Sequence, residues 1–389
     1  MIYLDNAAST QIHEDVLNSM LPYLKEQYGN PSSMHRYGRL AHKAVEKARK
    51  QIASIINAEP SEIILTSGGT ESNNTALRGI TMKNTSGQII TSSIEHDAIL
   101  EPCKKLAQNG FDVDYLPVTQ FGMVECSDLK NYISKKTILV SIMFGNNEVG
   151  TIQPISEIAK ICKEYEVPFH TDAIQAVGKT PIDVKKLNID LLSISSHKLY
   201  GPKGIGALYI KNGIDVDPVI LGGGQERGLR SGTENVASIV GFGKACEIAK
   251  NNLNENILQM KKLRDTLVEK ILNEIPEVIL NGHPRSRLPN NAHFTFFGVN
   301  GEDLIIKLDE YGIAASTGSA CSVNTQKASH VLQAMGFSHE QITGSLRLTI
   351  GIFNDQKEIE QTVNVLKKVV IELRSVSPYK EKYSFVSKI

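Results

Sequence analysis

Across the first two-thirds of the chain, short apolar runs alternate with amphipathic stretches. Ile63-Ile64-Leu65, Ile89-Ile90, residues 138–142, Val167-Pro168-Phe169, Leu191-Leu192-Ser193-Ile194 and Ala207-Leu208-Tyr209-Ile210 read as core strands. Between them, stretches such as residues 40–56 and 155–165 carry apolar side chains at helical spacing. This alternation predicts an α/β fold with a mostly parallel sheet and helices on both faces. The remainder is patterned differently. Ile257, Met260, Leu263, Leu267 and Ile271 recur at helical spacing, as do Ile359, Val363, Leu366 and Val370. Extended runs at residues 293–296 and 346–350 lie between those helices, as in a smaller α+β lobe beginning near Asn254. The tail beyond Pro378 is mixed in charge and is expected to be loosely ordered.

Composition narrows the function classes. At 389 residues and 41% hydrophobic, the chain is long enough for one large core and a second lobe. Lys+Arg and Asp+Glu each number 42, which argues against a nucleic-acid surface or a polybasic membrane face. No run approaches the roughly 20 apolar residues of a membrane span, and the start lacks a basic, apolar leader. The chain is therefore read as complete and cytoplasmic. Its cysteines, Cys103, Cys126, Cys162, Cys246 and Cys321, are odd in number and form no CxxC pair, so neither a disulfide framework nor a closed zinc site is expected. Most are expected to be small buried hydrophobes.

The chemistry-bearing residues share a position: each follows a predicted strand. Ser67-Gly68-Gly69-Thr70 leads from a strand into a helix, where glycines and a helix N-terminus suit an anion such as a phosphate. It is not a P-loop, and Gly201-Pro202-Lys203-Gly204 precedes a strand, so it is not a dinucleotide fingerprint. Leu221-Gly222-Gly223-Gly224 suggests a close-packed turn. His96 can stack on an aromatic ring and move protons, or serve only as a structural hydrogen-bonding residue. Asp172 suits a pyridinium partner, or a buried helix cap, with Gln175 three residues on. Lys198, in Ser195-Ser196-His197-Lys198-Leu199-Tyr200-Gly201, suits a Schiff-base lysine. Arg347 can hold a carboxylate bidentately. Cys321, among small residues in Thr317-Gly318-Ser319-Ala320-Cys321-Ser322, is a candidate accessible nucleophile. In an open parallel sheet such pieces converge on one crevice.

Taken together, these residues resemble the cysteine desulfurases of the NifS/IscS family, within the class V, fold-type I pyridoxal-phosphate enzymes. The likeness runs from Tyr3-Leu4-Asp5-Asn6-Ala7-Ala8 to the segment around Arg347. It takes in Gly29-Asn30-Pro31-Ser32-Ser33, Gly69-Thr70-Glu71-Ser72-Asn73-Asn74, Asn146-Asn147-Glu148-Val149-Gly150, Ser196-His197-Lys198-Leu199-Tyr200-Gly201-Pro202-Lys203-Gly204 and Arg230-Ser231-Gly232-Thr233-Glu234-Asn235.

The resemblance implies a large cofactor-binding domain at residues 13–254. Residues 1–12 with 255–389 would form a smaller domain carrying Cys321 and Arg347. It implies pyridoxal 5'-phosphate bound through Lys198, which also moves the α-proton. His96 would stack on the ring, Asp172 would pair with its nitrogen, and Asn147 and Gln175 would flank its hydroxyl. Gly69, Thr70, Ser195 and His197 would bind the phosphate, and Thr233 would reach the phosphate of the other subunit of a homodimer. Arg347, with Asn147, would bind L-cysteine, and Cys321 would accept its sulfur as a persulfide, releasing alanine.

The polar stretch after Cys321 resembles the subgroup with an extended loop that delivers sulfur to an acceptor, such as an iron–sulfur scaffold protein or the tRNA thiolation machinery. Transient ligation of an iron–sulfur cluster by Cys321 is compatible with this. No direct nucleic-acid contact and no membrane partner are expected. One departure concerns Gln326-Lys327-Ala328 before Ser329-His330-Val331-Leu332, where the family often has an acidic residue and a proline. A more positive loop bears on acceptor preference. Alternative functions are a selenocysteine lyase, a class V aminotransferase, or an inactive iron–sulfur assembly scaffold. An aminotransferase has no need of the Cys321 thiol.

Overall fold

A computed structural model describes residues 1–318 and 328–378. Its strands are β1 (Ile2–Tyr3), β2 (Ile63–Thr66), β3 (Gln88–Ser92), β4 (Asp112–Leu116), β5 (Thr137–Ser141) and β6 (Phe169–Asp172). They continue as β7 (Leu191–Ser195), β8 (Gly206–Ile210), β9 (Val278–Asn281), β10 (Asn291–Phe296), β11 (Ile313–Ala314) and β12 (Ser345–Thr349). Seven of these form the main sheet in the order β2-β8-β7-β6-β5-β3-β4. Its pairings are parallel except those of β8, which runs against both β2 and β7. All but β8 therefore point the same way, and their carboxyl ends share one edge.

The period-2 alternation of the strands puts a core on each face of this sheet. Ile90, Val140, Leu192, Ile194 and Tyr209 pack with the helices Arg36–Ile55, Ile155–Glu164 and Val236–Asn251. Their neighbours Ile89, Leu139, Leu191, Leu208 and Ile210 pack on the other face, under the helices Gly69–Thr81 and Asp97–Gln108. Each fully buried Ile or Leu contributes roughly 1.5–3 kcal/mol, so burial on both faces fixes the strand register. The α/β architecture expected from the sequence is the one formed.

A separate core joins Ile2 and Leu4 to Met260, Leu267, Phe294, Phe296, Leu346, Leu348 and Val363. Here β10 lies between β12 and β9, antiparallel to both, and β1 pairs with β11. The long helices Leu253–Glu274 and Gln356–Ser375 cover this sheet. The N-terminal strand thus carries residues 5–10 across the edge where the strands of the main sheet end.

Three local expectations change. The strand expected at residues 167–169 begins at Phe169 and runs on through His170, Thr171 and Asp172, all buried. Strand β4, a half-exposed edge strand, has no apolar run to announce it. Residues 221–224 are exposed rather than close-packed. Cys321 and the tail beyond Pro378 lie outside the described residues.

Candidate active site

Helix Gly69–Thr81 starts almost directly from β2. Its cap, Gly68, has φ 152°, in the region that favours glycine, and offers no capping side chain. A Cβ on Gly69 would collide with the Ile174 side chain, so the main chain lies close against the turn after β6. The opening amides of the helix are left to serve an anion, reinforced by its dipole. Glu71, in the same turn, is neutralised by Arg230 at 2.8 Å and accepts the Ser67 amide at 2.9 Å. Burial raises its carboxyl, but these hydrogen bonds outweigh burial and leave it below its ordinary value.

Asp172 ends β6 and is buried. One carboxylate oxygen accepts the Asn73 side-chain amide at 2.7 Å and the other accepts the Ile174 amide at 3.0 Å. Burial raises its carboxyl above the ordinary aspartate value, against these bonds and the charges of His96 and Lys198. A buried carboxylate of this kind is best satisfied by a cation in the cavity it faces. Gln175, on the turn that follows, donates to the Ala7 carbonyl at 2.9 Å.

Lys198 ends the short 3-10 turn Ser196–Lys198 after β7. Its Nζ donates to the carbonyls of Ala7 and Ala8 at 2.6 and 2.7 Å. His197 lies 3.2 Å from the Ser9 hydroxyl through Nδ1. Burial, with Lys198, Lys203 and Lys179, pushes its imidazole down to about 4. His96 caps the helix Asp97–Gln108: its Nδ1 accepts the Ala98 amide at 3.0 Å, which assigns the ring proton of the neutral form to Nε2. The structural reading of His96 is thus met, and its Nε2 side is not used by the cap.

Arg347, on β12, is buried and pairs with Asp5 at 2.8 Å. It also donates to the Asn147 carbonyl at 2.8 Å, while its Nε is buried with no partner among the described residues. Gly69, Thr70, His96, Asn147, Asp172, Gln175, Ser195, His197, Lys198 and Arg347 all line one cavity of about 360 Å³. Gly318, where the first described segment ends, lines it too. Thr233 is exposed and outside this cavity. Beyond the segment that holds Cys321, Ser329 donates to the buried Glu148 at 2.6 Å, and His330 Nε2 lies 2.9 Å from the Glu95 carbonyl. Among the described residues, no group of three or more His, Cys, Asp or Glu side chains is placed to hold a metal ion.

Asn73, Asp5, Glu148 and the carbonyls of Ala7 and Ala8 were not singled out from sequence. Asn73 stands in the Gly69-to-Asn74 segment of the family likeness and lies four residues after Gly69, hence on the same face of the helix, which are the signals that could have found it. Carbonyl contacts leave no mark in side-chain identity.

The class V aminotransferase family model matches residues 2–362. The cysteine desulfurase IscS of Dictyoglomus turgidum is 48% identical over 389 residues, covering 100% of this chain and 99% of that one. That of Methanosarcina thermophila is 51% identical over 379 residues, 97% of this chain and 94% of that one. A solved NifS-like protein superposes with a TM-score of 0.90 at 39% identity, over 95% of this chain and 99% of that one. The structure of SspA in complex with cysteine superposes at 0.82 with 38% identity, over 91% and 100% respectively.

Proposed function

This chain belongs to the class V aminotransferase family and, within it, to the cysteine desulfurases, and on that premise we propose that it moves the sulfur of L-cysteine onto its own Cys321. The cofactor is pyridoxal 5'-phosphate, as throughout the family. The residues present fit it: an uncapped helix N-terminus for a phosphate, and a buried Asp172 that calls for a cation. Gly69, Thr70, Ser195 and His197 would hold the phosphate, Asp172 the ring nitrogen, Asn147 and Gln175 the ring hydroxyl, and His96 the ring face. When bound, the cofactor stabilises the electron pair left at the substrate α-carbon as its proton departs.

The rest falls to the chain's own side chains. Lys198, steered by the Ala7 and Ala8 carbonyls, binds the cofactor and carries the α-proton. Arg347, oriented by Asp5 and the Asn147 carbonyl, takes the substrate carboxylate. The Cys321 thiolate attacks the substrate sulfur. An S–S bond forms, the C–S bond breaks with its electron pair going to carbon, and a proton completes alanine. In balance, cysteine and a thiol give alanine and a persulfide.

The same reading covers the assembly. Thr233, exposed and outside the lining of its own cavity, supports a homodimer in which each subunit completes the other's phosphate site. Sulfur delivery to an iron–sulfur scaffold protein or to tRNA thiolation, in the cytoplasm, and a division into domains at residues 13–254 and 1–12 with 255–389, belong to this proposal. The two separate cores support the division. Among the described residues, no helix is long and apolar enough to cross a membrane.

The convergence of the residues from five strand ends and β12 on one cavity carries this proposal. Its test is the absorption spectrum of the purified protein before and after L-cysteine. A visible cofactor band that Lys198→Ala abolishes, with alanine and, once a thiol reductant is added to reduce the persulfide, sulfide formed only when Cys321 is intact, is the expected result. A band without sulfide would indicate transamination, and no band after adding cofactor would leave an inactive scaffold. Comparing L-selenocysteine as substrate separates a lyase specific for selenium.

A further inference from the structure

A second lysine lies behind Lys198. Lys179 closes the turn that follows Asp172 and Gln175, and only 2% of it is exposed. Its Nζ donates to the carbonyl of Lys198 at 3.0 Å and to that of Gln175 at 3.3 Å. One buried side chain thus ties the turn after β6 to the turn after β7, and both turns carry residues assigned to the cofactor. Among the described residues its hydrogen-bond partners are neutral carbonyls, and Lys198 is the charge that acts on it most. Burying an ammonium without a carboxylate is costly, and an apolar side chain would fill the space without that cost.

Burial first, then the Lys198 charge, pushes Lys179 down to about 7. The repulsion is mutual: a proton on Lys179 makes a second proton on Lys198 harder to hold. Among the described residues, the other titratable groups around it are His197, His13 and Tyr200. His197, at about 4, is neutral near neutral pH, and Tyr200, pushed up to about 12 by burial, keeps its hydroxyl proton. His13 is engaged in capping its own helix, accepting the Asp15 amide. Lys198 is the group left to respond to Lys179.

From this arrangement we infer that Lys179 is a positioning residue for Lys198: it seats the Lys198 main chain against the Gln175 turn, so close behind it that the two amines compete for protons and Lys179 yields first. The inference rests on the proposed role of Lys198 as the lysine that binds the cofactor and carries the α-proton.

The test is an NMR pH titration of the full chain grown on isotope-labelled lysine, before any cofactor is added. Lys179→Gln keeps a donor but not the charge, and Lys179→Arg keeps both. Burial and the Lys198 charge make Lys179 give up its proton at about 7, ahead of Lys198 itself, so the Lys198 midpoint is expected to stay at the parental value in the Gln variant and to fall by about one pH unit in the Arg variant, whose charge persists. An unchanged midpoint in Lys179→Arg, or equal shifts in both variants, would overturn the inference and leave Lys179 a space-filling residue. If Lys179→Arg does not fold, the reciprocal titration decides. In Lys198→Ala the Lys179 midpoint must rise by the same amount, since coupling is reciprocal, and no rise overturns the inference. Adding pyridoxal phosphate afterwards keeps the two readings apart. A visible band in Lys198→Ala would refute the role of Lys198 in binding the cofactor, whatever the titration gave.

Discussion

The side-chain amide of Asn73 donates to the carboxylate of Asp172 at 2.7 Å, joining the second turn of the helix after β2 to the last residue of β6. That bond favours the ionised carboxylate against the burial that raises it. In Asn73→Ala the carboxyl should rise further and hold a protonated ring nitrogen less well. A hydrogen bond to a charged group is worth about 1.5–3 kcal/mol, so the cofactor should dissociate roughly 10- to 100-fold more readily. Equilibrium titration of the cofactor-free protein with pyridoxal phosphate measures this. Unchanged affinity would show that Asn73 only packs.

Arg347 is buried with two of its nitrogens engaged by Asp5 and the Asn147 carbonyl. These contacts fix the plane of the guanidinium, which a lysine cannot reproduce. Arg347→Lys should raise KM for L-cysteine about 10- to 100-fold while leaving the cofactor band in place. Steady-state kinetics with a parallel absorption spectrum separates the two effects. A lost band with unchanged KM would move Arg347 from the substrate to the cofactor.

The cysteines divide by environment. Burial pushes the Cys103 and Cys162 thiols up to about 12, and that of Cys246 up as well, so these thiols remain protonated and inert. Brief treatment of the native protein with iodoacetamide at neutral pH should leave all three unmodified and label Cys321, with loss of sulfide production. Cys321→Ser should keep the cofactor band and form no persulfide. Substituting Cys103, Cys162 or Cys246 by Ala should lower Tm without abolishing sulfur transfer. Labelling of a buried cysteine ahead of Cys321, read by peptide mass spectrometry, would contradict the assignment.

Much of the fold was legible because two-sided burial writes itself as apolar runs: Ile63-Ile64-Leu65 and Leu191-Leu192 each feed both cores. Legibility failed where polarity and burial part company. Strand β6 continues through His170, whose ring lies 2.8 Å from the Ser141 hydroxyl and 3.0 Å from that of Ser193, so polar side chains satisfy one another inside the sheet. Strand β4 is an edge and needs no apolar face. At the site, Lys198, Asp172 and Arg347 were singled out by their own side chains, and the fold brings them to one cavity. Supports defined by position alone were not: Asp5 meets Arg347 only because β1 joins the second core, 342 residues away along the chain.

Glu95, beside His96, makes the stability of this fold depend on pH. One of its oxygens accepts the Ser92 hydroxyl at 2.5 Å and the Met143 amide at 2.9 Å, and the other is buried with no partner among the described residues. Burial pushes the carboxyl up to about 8. The unfolded chain releases this proton near the ordinary glutamate value of about 4.3, whereas the folded chain keeps it to near pH 8. Between those limits the unfolded state binds fewer protons, so this group's contribution is full at low pH and is lost as pH rises. His170 and His293, each pushed down to about 3 by burial, act with the opposite sign. Their contribution is full above about pH 6.5 and is lost as pH falls. A change at Glu95 must therefore be read as a difference between variant and parent. Glu95→Gln cannot ionise. Its stability relative to the parent, from denaturant unfolding at several pH values, should grow from pH 5 to pH 8 by on the order of a few kcal/mol and be flat below pH 4. A difference that does not vary with pH would mean that Glu95 is already ionised in the folded chain.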